Sequence, residues 1–388
     1  MMSQCCAKWL LPIVVLTGLV PEQTSTQTLR LAAARSGQGA ISPVNDLPNP
    51  YQVVRNWGTL PEGRIWGSTG AISVDRDGTS IWAIERCGSH SWQPAGGSCA
   101  GSNLPPVLKF DASGKLVRSF GAGVFVFPHG LHVDRDGNVW VADSRAATEE
   151  ELAKFPDARG KGHRIVKFSP DGKILLTIGK GGVAGDPPDY LSEPCDIITM
   201  PNGDILVAEG HSGQNTKPRP GTVSRLSQFS KDGKFIKTVG TLGSGPGEFK
   251  TPHALAFDAR GRLFVADRGN NRIQIFDENL KYLDSWSQFG RPSDVHIDKN
   301  GFFYVADSES GPRYYPGWRR GVRIARVTDG KVTYLIHPHQ TDRPEGMSGE
   351  GVTVDAQGNV YSAEVGTDGG ALAVRGITKY VARSPIFR

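Results

Sequence analysis

Residues 128–143 read Pro128-His-Gly-Leu-His-Val-Asp-Arg-Asp-Gly-Asn-Val-Trp-Val-Ala-Asp143, and residues 252–267 read Pro252-His-Ala-Leu-Ala-Phe-Asp-Ala-Arg-Gly-Arg-Leu-Phe-Val-Ala-Asp267. Each phrase holds an alternating strand, an Asp-x-x-Gly turn, and a second strand rich in β-branched and aromatic residues. This pattern predicts a β-hairpin. Weaker copies cover residues 70–86, 194–210, 292–307 and 349–364, so the chain carries six such hairpins.

Six copies of one hairpin predict an all-β fold, a six-bladed β-propeller. Further short strands, such as Arg164–Phe168 and Arg272–Phe276, would complete four-stranded antiparallel blades. A lone antiparallel sheet cannot bury both faces, whereas a ring of such sheets can. We expect Tyr51–Trp57 to close the ring by completing the last blade, and residues 146–162 and 213–220 to form long loops.

Composition and the N-terminus indicate an exported globular protein. The 388 residues are 38% hydrophobic and 21% charged, and the net charge of +5 is too mild and too mixed in sign to indicate a nucleic-acid partner. Lys8 precedes an apolar run over residues 9–20, which is too short to span a bilayer and predicts a secretory signal. The alternative is an uncleaved anchor. We assign residues 1–35 to a signal peptide and linker and residues 45–388 to the propeller, in a secreted or periplasmic protein.

Three cysteines remain once Cys5 and Cys6 leave with the signal: Cys87, Cys99 and Cys195. Cys87 and Cys99 bound a short stretch containing Gly and Pro, directly after Arg86. Because an exported protein meets oxidising conditions, we predict a Cys87–Cys99 disulfide that fixes this loop and Arg86. Cys195 would stay reduced at the rim of the channel.

Propeller geometry predicts which residues face the axis. The first strand of each blade lines the central channel. Five positions before the first turn residue (an Asp, or Met200 in the third hairpin) lie Gly70, His129, Cys195, His253, Ser293 and Glu350. His129, His253 and Glu350 come from alternate blades and would converge on the axis. Two imidazoles and one carboxylate form a zinc ligand set with a position left open, and the same set suits Fe(II). The alternative is a solvated polar channel without metal. His132 and His296, three residues further along their strands, are less favoured.

The second strands end on the same rim, mostly in carboxylates that we interpret as structural: Asp143, Glu209, Asp267 (followed by Arg268), Asp307 and Glu364. In the first blade we place Arg86 at this position, a cation suited to a substrate carboxylate or to an ordinary inter-blade salt bridge. His211, two residues past Glu209, is a candidate proton carrier, or an exposed loop residue.

From about Gly67 to Tyr361 the chain resembles the NHL-repeat propeller of the peptidyl-α-hydroxyglycine α-amidating lyases. The resemblance implies that Arg86 is the active-site arginine and that His129 and His253 bind zinc. Three positions differ. Glu350 stands where the family has a third zinc histidine, and His211 stands near the family's catalytic tyrosine. Gly351 replaces an aspartate that helps hold a structural calcium.

The resemblance implies cleavage of a carbinolamide C–N bond to an amide and glyoxylate, with Arg86 orienting the substrate carboxylate. Metal-assisted hydrolysis is a second hypothesis. A third is a metal-free propeller that binds a peptide or glycan across its rim. In each case we expect a monomer that takes a small-molecule or peptide ligand at the central rim and binds neither nucleic acid nor, once mature, membrane.

Overall fold

The computed structural model describes residues 41–88, 97–337, 349–366 and 375–383, which fold into six four-stranded antiparallel sheets. The predicted signal segment, residues 1–35, lies outside the described residues. The strands of blades one to three, from inside to outside, are β2–β5 (Thr69–Val74, Ile81–Glu85, Val107–Phe110, Leu116–Phe120), β6–β9 (Pro128–Val133, Val139–Asp143, Arg164–Phe168, Ile174–Ile178) and β10–β13 (Pro194–Thr199, Ile205–Glu209, Arg225–Phe229, Phe235–Val239).

Blades four to six continue the ring. Their strands are β14–β17 (Pro252–Phe257, Leu263–Asp267, Arg272–Phe276, Tyr282–Trp286), β18–β21 (Pro292–Ile297, Phe302–Asp307, Gly321–Arg326, Val332–Ile336), and β22–β24 with β1 (Gly351–Val354, Val360–Val365, Arg375–Ala382, Tyr51–Trp57). Each inner strand contacts the inner strand of the next blade, and β22 contacts β2. The predicted six-bladed propeller is therefore confirmed, with β1 as the closing strand.

The hairpin turns explain why the repeats fold as they do. In blade two, the Asp134 carboxylate accepts hydrogen bonds from the backbone N–H groups of Asp136 (3.0 Å) and Asn138 (2.9 Å) and from the indole N–H of Trp140 (3.0 Å). Gly137 adopts a φ of 82°, which favours glycine. The aspartate thus fixes the turn and also orients the large aromatic residue of the second strand.

The core lies between neighbouring blades, where their faces meet. The second strands β7, β11 and β15 are buried along their whole length. One core cluster joins Trp82 and Ile84 of blade one to Val139 and Val141 of blade two. Within the described ranges, helix is confined to α1 (Glu149–Lys154) and to 3-10 turns over Pro156–Ala158, His211–Gln214 and Arg268–Asn270. No helix of the described residues is long and apolar enough to cross a membrane.

Inner strands carry an irregularity at the channel rim that matters for the site. In blades one to five, the register between the first and second strand shifts by one residue at the rim position, for example between Pro128 and Leu131 and between Pro252 and Leu255. A β-bulge of this kind bends the strand and re-aims a side chain. His129 and His253 both lie inside such a bulge.

Candidate metal centre

His129 and His253 meet at the channel axis, as predicted. They are almost fully buried, and their ring centroids lie 4.8 Å apart. The Nδ1 of His129 lies 2.9 Å from the carbonyl oxygen of Cys195, and that of His253 lies 2.6 Å from the carbonyl oxygen of Ser293. Because a carbonyl only accepts, each Nδ1 carries the hydrogen and each Nε2 keeps a free lone pair. Both Nε2 atoms are buried, and neither has a hydrogen-bond partner in the part of the chain that the structure describes.

Glu350 completes the predicted trio from the start of blade six. Its Oε1 lies 3.3 Å from the Nε2 of His253 and accepts a 2.8 Å hydrogen bond from Nη1 of Arg268. Burial opposes its ionisation, but the Arg268 cation bonded to Oε1 favours the charged form, and the pKa of Glu350 lies well below its usual range. The carboxylate is therefore charged.

His211 joins this group from the 3-10 turn after blade three. Its ring centroid lies 4.9 Å from that of His129, and one nitrogen or oxygen from each of His129, His211, His253 and Glu350 falls within 4.8 Å of the others. Nε2 of His211 accepts a 3.1 Å hydrogen bond from Nη2 of Arg268. His211 is therefore a half-buried member of the site and not an exposed loop residue.

Burial sets the charge of the three rings. Burial lowers the pKa of His129 to about 3, and the positive charge of Arg86 acts in the same direction. Burial likewise lowers the pKa of His253, and that of His211 falls well below its usual range for the same reason. All three imidazoles are thus neutral at physiological pH, which is the form that binds a metal.

The donor set fits a divalent cation. Two buried Nε2 lone pairs without partners face a charged carboxylate, an arrangement that is costly unless something occupies the space between them. Two ligands of one tetrahedral zinc, each bonded at 2.0–2.1 Å, lie about 3.3 Å apart. The distance from the His253 Nε2 to the Glu350 Oε1 has that value. His129, His253 and Glu350 could therefore hold zinc, and the nitrogen and oxygen donors also suit Fe(II).

Arg86 lies on the same rim and is nine-tenths buried. Its Nε donates to the carbonyl of Pro128 (3.3 Å), and its guanidinium lies 3.9 Å above the centre of the Phe127 ring. Among the described residues, no carboxylate lies within 4.0 Å of its nitrogens, so the inter-blade salt bridge is not formed. Burial lowers the pKa of Arg86 to about 10, which leaves the side chain charged.

The predicted register of blade one was wrong by one residue at its second strand. Thr69 pairs with Glu85, as Pro128 pairs with Asp143, so Glu85 and not Arg86 holds the rim carboxylate position. The cause is the turn: the backbone N–H of Asp75 bonds the carbonyl of Ser80, five residues on, whereas Asp134 bonds Asn138, four residues on. Blade one has one extra turn residue.

Arg86 therefore corresponds to Arg268 in blade four, which the sequence analysis did not single out. Arg268 is 1% exposed and bonds both Glu350 and His211. Its Nε donates to Oε1 of Gln214 (3.1 Å), which also accepts from Nη2 of Arg291 (2.6 Å). The repeated acid–arginine pairs, Glu85–Arg86 and Asp267–Arg268, are the sequence signal that could have identified it.

The rim carboxylates of the other blades have structural roles. Asp143 accepts from the backbone N–H groups of Phe127 and Gly162, and Asp307 pairs with Arg323 (3.0 Å). Glu209 and Asp267 pair with Arg225 (3.1 Å) and Arg272 (2.8 Å) in the same way. Asp143 thus ties the end of the second strand to the segment that enters the blade, and the three arginine pairs tie it to the third strand. Glu364 differs, because its Oε1 is buried without a hydrogen-bond partner among the described residues.

The remaining candidates lie away from the cluster. His132 bonds Oγ1 of Thr199 (2.8 Å) deeper in the channel, and His296 lies near Oγ1 of Thr353 (3.4 Å). Cys195 is a buried free thiol whose pKa burial raises well above its usual range. A Cβ on Gly351 would lie 3.2 Å from Cα of Ala71 and 3.1 Å from Cβ of Ala363, so this backbone leaves little space for the family's calcium-binding aspartate.

The predicted disulfide is confirmed. Cys87 and Cys99 are bonded, and the bond closes the segment that directly follows Arg86. The Cys99 backbone N–H donates to the carbonyl of Val126 (2.8 Å), next to Phe127. The disulfide therefore ties the Arg86 segment to the segment of Phe127, which leads into the strand of His129.

Comparisons with known proteins agree with the propeller fold. The NHL repeat family matches residues 249–276. The chain carries an NHL repeat and resembles the amidating lyases. It is 26% identical over 267 residues to peptidyl-alpha-hydroxyglycine alpha-amidating lyase 2 of Drosophila melanogaster, which covers 64% of this chain and 57% of that protein. It is 28% identical over 264 residues to NHL repeat-containing protein 3 of Homo sapiens, with 66% of each chain covered.

The chain thus spans 57% of the Drosophila protein and 66% of the human one. Among solved structures, a gluconolactonase from Xanthomonas campestris aligns with a TM-score of 0.51 at 14% identity, over 89% of this chain and 98% of that one. At this identity the likeness concerns the fold alone. The sequence relatives support a lyase-like enzyme, and the repeat and the six-bladed architecture agree with them.

Proposed function

We propose that this protein is a metal-dependent carbon–nitrogen lyase that cleaves a carbinolamide, of the peptidyl-α-hydroxyglycine type, to an amide and glyoxylate. The observation that carries the proposal is the pair of buried, unpartnered Nε2 atoms of His129 and His253 beside the Glu350 carboxylate. The similarity to a protein named as an amidating lyase supports the reaction class.

In this proposal His129, His253 and Glu350 hold the metal, which is zinc by ligand type, with Fe(II) as the alternative. When bound, the metal supplies Lewis-acid activation that lowers the pKa of the substrate hydroxyl. Arg86 binds the substrate carboxylate through its two Nη groups, since its Nε already bonds Pro128. The carbinolamide is thereby oriented with its hydroxyl toward the axis.

His211 is the proton carrier of the proposed reaction. Its neutral ring can accept the hydroxyl proton as the C=O bond of glyoxylate forms and the C–N bond breaks. The electron pair of the C–N bond passes to nitrogen, which takes the proton back and leaves as the amide, so the reaction needs no further reactant. Nε2 of His211 already accepts from Arg268, so proton uptake at this atom requires that hydrogen bond to give way.

We also propose that the protein works outside the cytoplasm. The Cys87–Cys99 disulfide supports this, because such bonds persist in oxidising compartments. The substrate would be a small molecule or peptide at the central rim of a monomeric propeller.

Product analysis tests the reaction. Metal-loaded protein is incubated with an N-acyl-α-hydroxyglycine, and the products are separated by chromatography and mass spectrometry. The proposal predicts equal amounts of glyoxylate and the primary amide. Release of the carboxylic acid of the acyl group would instead show hydrolysis of the acyl–nitrogen bond. A protein that cleaves neither bond but still binds the N-acyl-α-hydroxyglycine would favour the third hypothesis, a propeller that binds its ligand without catalysis.

A further inference from the structure

The position of Arg86 depends on an aromatic ring. The guanidinium carbon lies 3.9 Å from the centre of the Phe127 ring, and Phe127 also stacks on His129 at 6.2 Å between ring centroids. A cation over an aromatic face is stabilised most when water is excluded, and Arg86 is nine-tenths buried. Phe127 thus supports a buried charge that forms no salt bridge with a carboxylate of the described residues.

Phe127 is itself held in place from two sides. Its backbone N–H donates to Oδ1 of the buried Asp143 (2.7 Å). The guanidinium carbon of Arg145 lies 4.9 Å from the centre of the same ring. Arg145 in turn makes two hydrogen bonds to the buried Glu151 (2.7 and 3.0 Å), which is part of the capping box that starts α1. The ring therefore lies in a fixed frame.

Gly70 provides the space that Arg86 needs. It holds the rim position of blade one, where blades two and four have His129 and His253. A Cβ on Gly70 would lie 3.0 Å from Nη2 of Arg86, which is closer than ordinary van der Waals contact. The absence of a side chain at this position lets the guanidinium approach the axis from blade one.

We propose that Phe127 and Gly70 are positioning residues that hold Arg86 as a carboxylate-specific fork beside the metal centre. Nε is occupied by Pro128 and one guanidinium face by Phe127, so only the two Nη groups remain for a ligand. A carboxylate accepts two parallel hydrogen bonds from such a fork, whereas a carboxamide offers one acceptor and two hydrogens that oppose the cation. The site should therefore select N-acylglycine-type ligands with a free carboxylate and reject the corresponding amides. This proposal rests on the proposed function for the identity of the substrate.

Calorimetry with ligands that cannot react tests the proposal. The probes are N-benzoylglycine and its carboxamide, titrated into full-length, metal-loaded protein. We expect the wild type to bind the carboxylate at least about tenfold more tightly. Phe127→Leu should reduce that preference by about tenfold. Gly70→Ala should also reduce it, because the new methyl group displaces Nη2.

Phe125→Leu is the matched control. Phe125 lies two residues away and is 2% exposed in the core, where it packs near Phe168 and not on Arg86. This variant should lower the midpoint of unfolding and leave the carboxylate preference unchanged, so a general loss of stability is separated from a loss of positioning.

The outcomes separate this proposal from the lyase assignment. If Phe127→Leu and Gly70→Ala both keep the full preference, or if the wild type has none, the positioning role is wrong even where glyoxylate is produced. If the preference is present and falls in both variants while the wild type releases no glyoxylate from an N-acyl-α-hydroxyglycine, the positioning role stands and the lyase assignment is wrong.

Discussion

Arg86 of blade one and Arg268 of blade four occupy equivalent positions on opposite sides of the ring. The backbone N–H of Arg86 donates to the carbonyl of Ser68 (2.9 Å), and that of Arg268 donates to the carbonyl of Thr251 (3.1 Å). Their partners differ. Arg268 bonds the Glu350 carboxylate, whereas Arg86 has no carboxylate partner among the described residues. One arginine thus stabilises the charge of the site itself, and the other is available to a carboxylate from outside.

Replacement of a metal-binding residue should remove the metal and leave the propeller folded. His129→Ala and His253→Ala should each lose most of the bound metal, because the blades are held by the packing between sheets. Glu350→Gln should weaken binding less, since an amide oxygen still ligates but brings no charge. Competition with a chromophoric chelator measures the affinities, and circular dichroism checks the fold. His132→Ala, on the same strand as His129 but deeper in the channel, should keep the metal.

Replacement of Arg86 should separate metal binding from substrate binding. Arg86→Ala should keep the metal and lower kcat/KM for a carboxylate substrate by roughly 100-fold, the loss of about 3 kcal/mol expected for hydrogen bonds to a charged group. Arg86→Lys should recover only part of this, because an ammonium cannot form the fork. Steady-state kinetics gives kcat/KM for each variant, and the metal content of the same preparations is measured alongside. Loss of the metal in Arg86→Ala would contradict the assignment of Arg86 to the substrate.

Loss of the disulfide should weaken both the fold and the position of Arg86. The bond joins residues 12 apart in sequence, and closing a loop of about this length stabilises by about 3 kcal/mol. The Cys87→Ser, Cys99→Ser double variant should therefore unfold at a lower denaturant concentration and show a raised KM. A reductant should shift wild-type unfolding in the same direction and leave the variant unchanged. Equal unfolding midpoints for the oxidised wild type and the double variant would show that the disulfide does not stabilise the fold.

The stability of the propeller should fall as the pH rises toward 8, because of Glu364. Burial raises the pKa of Glu364 to about 8, and interactions with Thr378 and Ser362 offset this only in part. A carboxyl group whose pKa is raised in the folded state binds more protons there than in the unfolded chain. Its contribution is thus complete below the unfolded pKa of about 4.5 and is lost as the pH passes through about 8. Denaturant unfolding between pH 5 and 9 measures the slope. Glu364→Gln should reduce the slope, to which the buried Asp196 and Asp267 also contribute through their raised pKa values, and an unchanged slope would rule out a contribution from Glu364.

The sequence repeat was sufficient to predict the blades and the rim positions of His129, His253 and Glu350. Those positions follow from a fixed count back from the turn. The count holds although the inner strands of blades one to five carry a bulge at the rim, because the bulge lies at the same distance from the turn in each. The same count failed at Arg86, because the turn of blade one is one residue longer and shifts the second strand only. The partners of Arg268 could not be predicted, since Glu350 and His211 are brought to it by the closure of the ring and by a loop that no repeat constrains.

The metal content of the wild-type protein, purified without chelators and measured by elemental analysis against protein concentration, tests the central claim most directly. A centre built from His129, His253 and Glu350 predicts about one zinc or iron per chain, lost on dialysis against a strong chelator and restored by the metal. Wild-type protein that is folded yet neither retains nor takes up a stoichiometric divalent metal would contradict the metal centre and the lyase mechanism that depends on it.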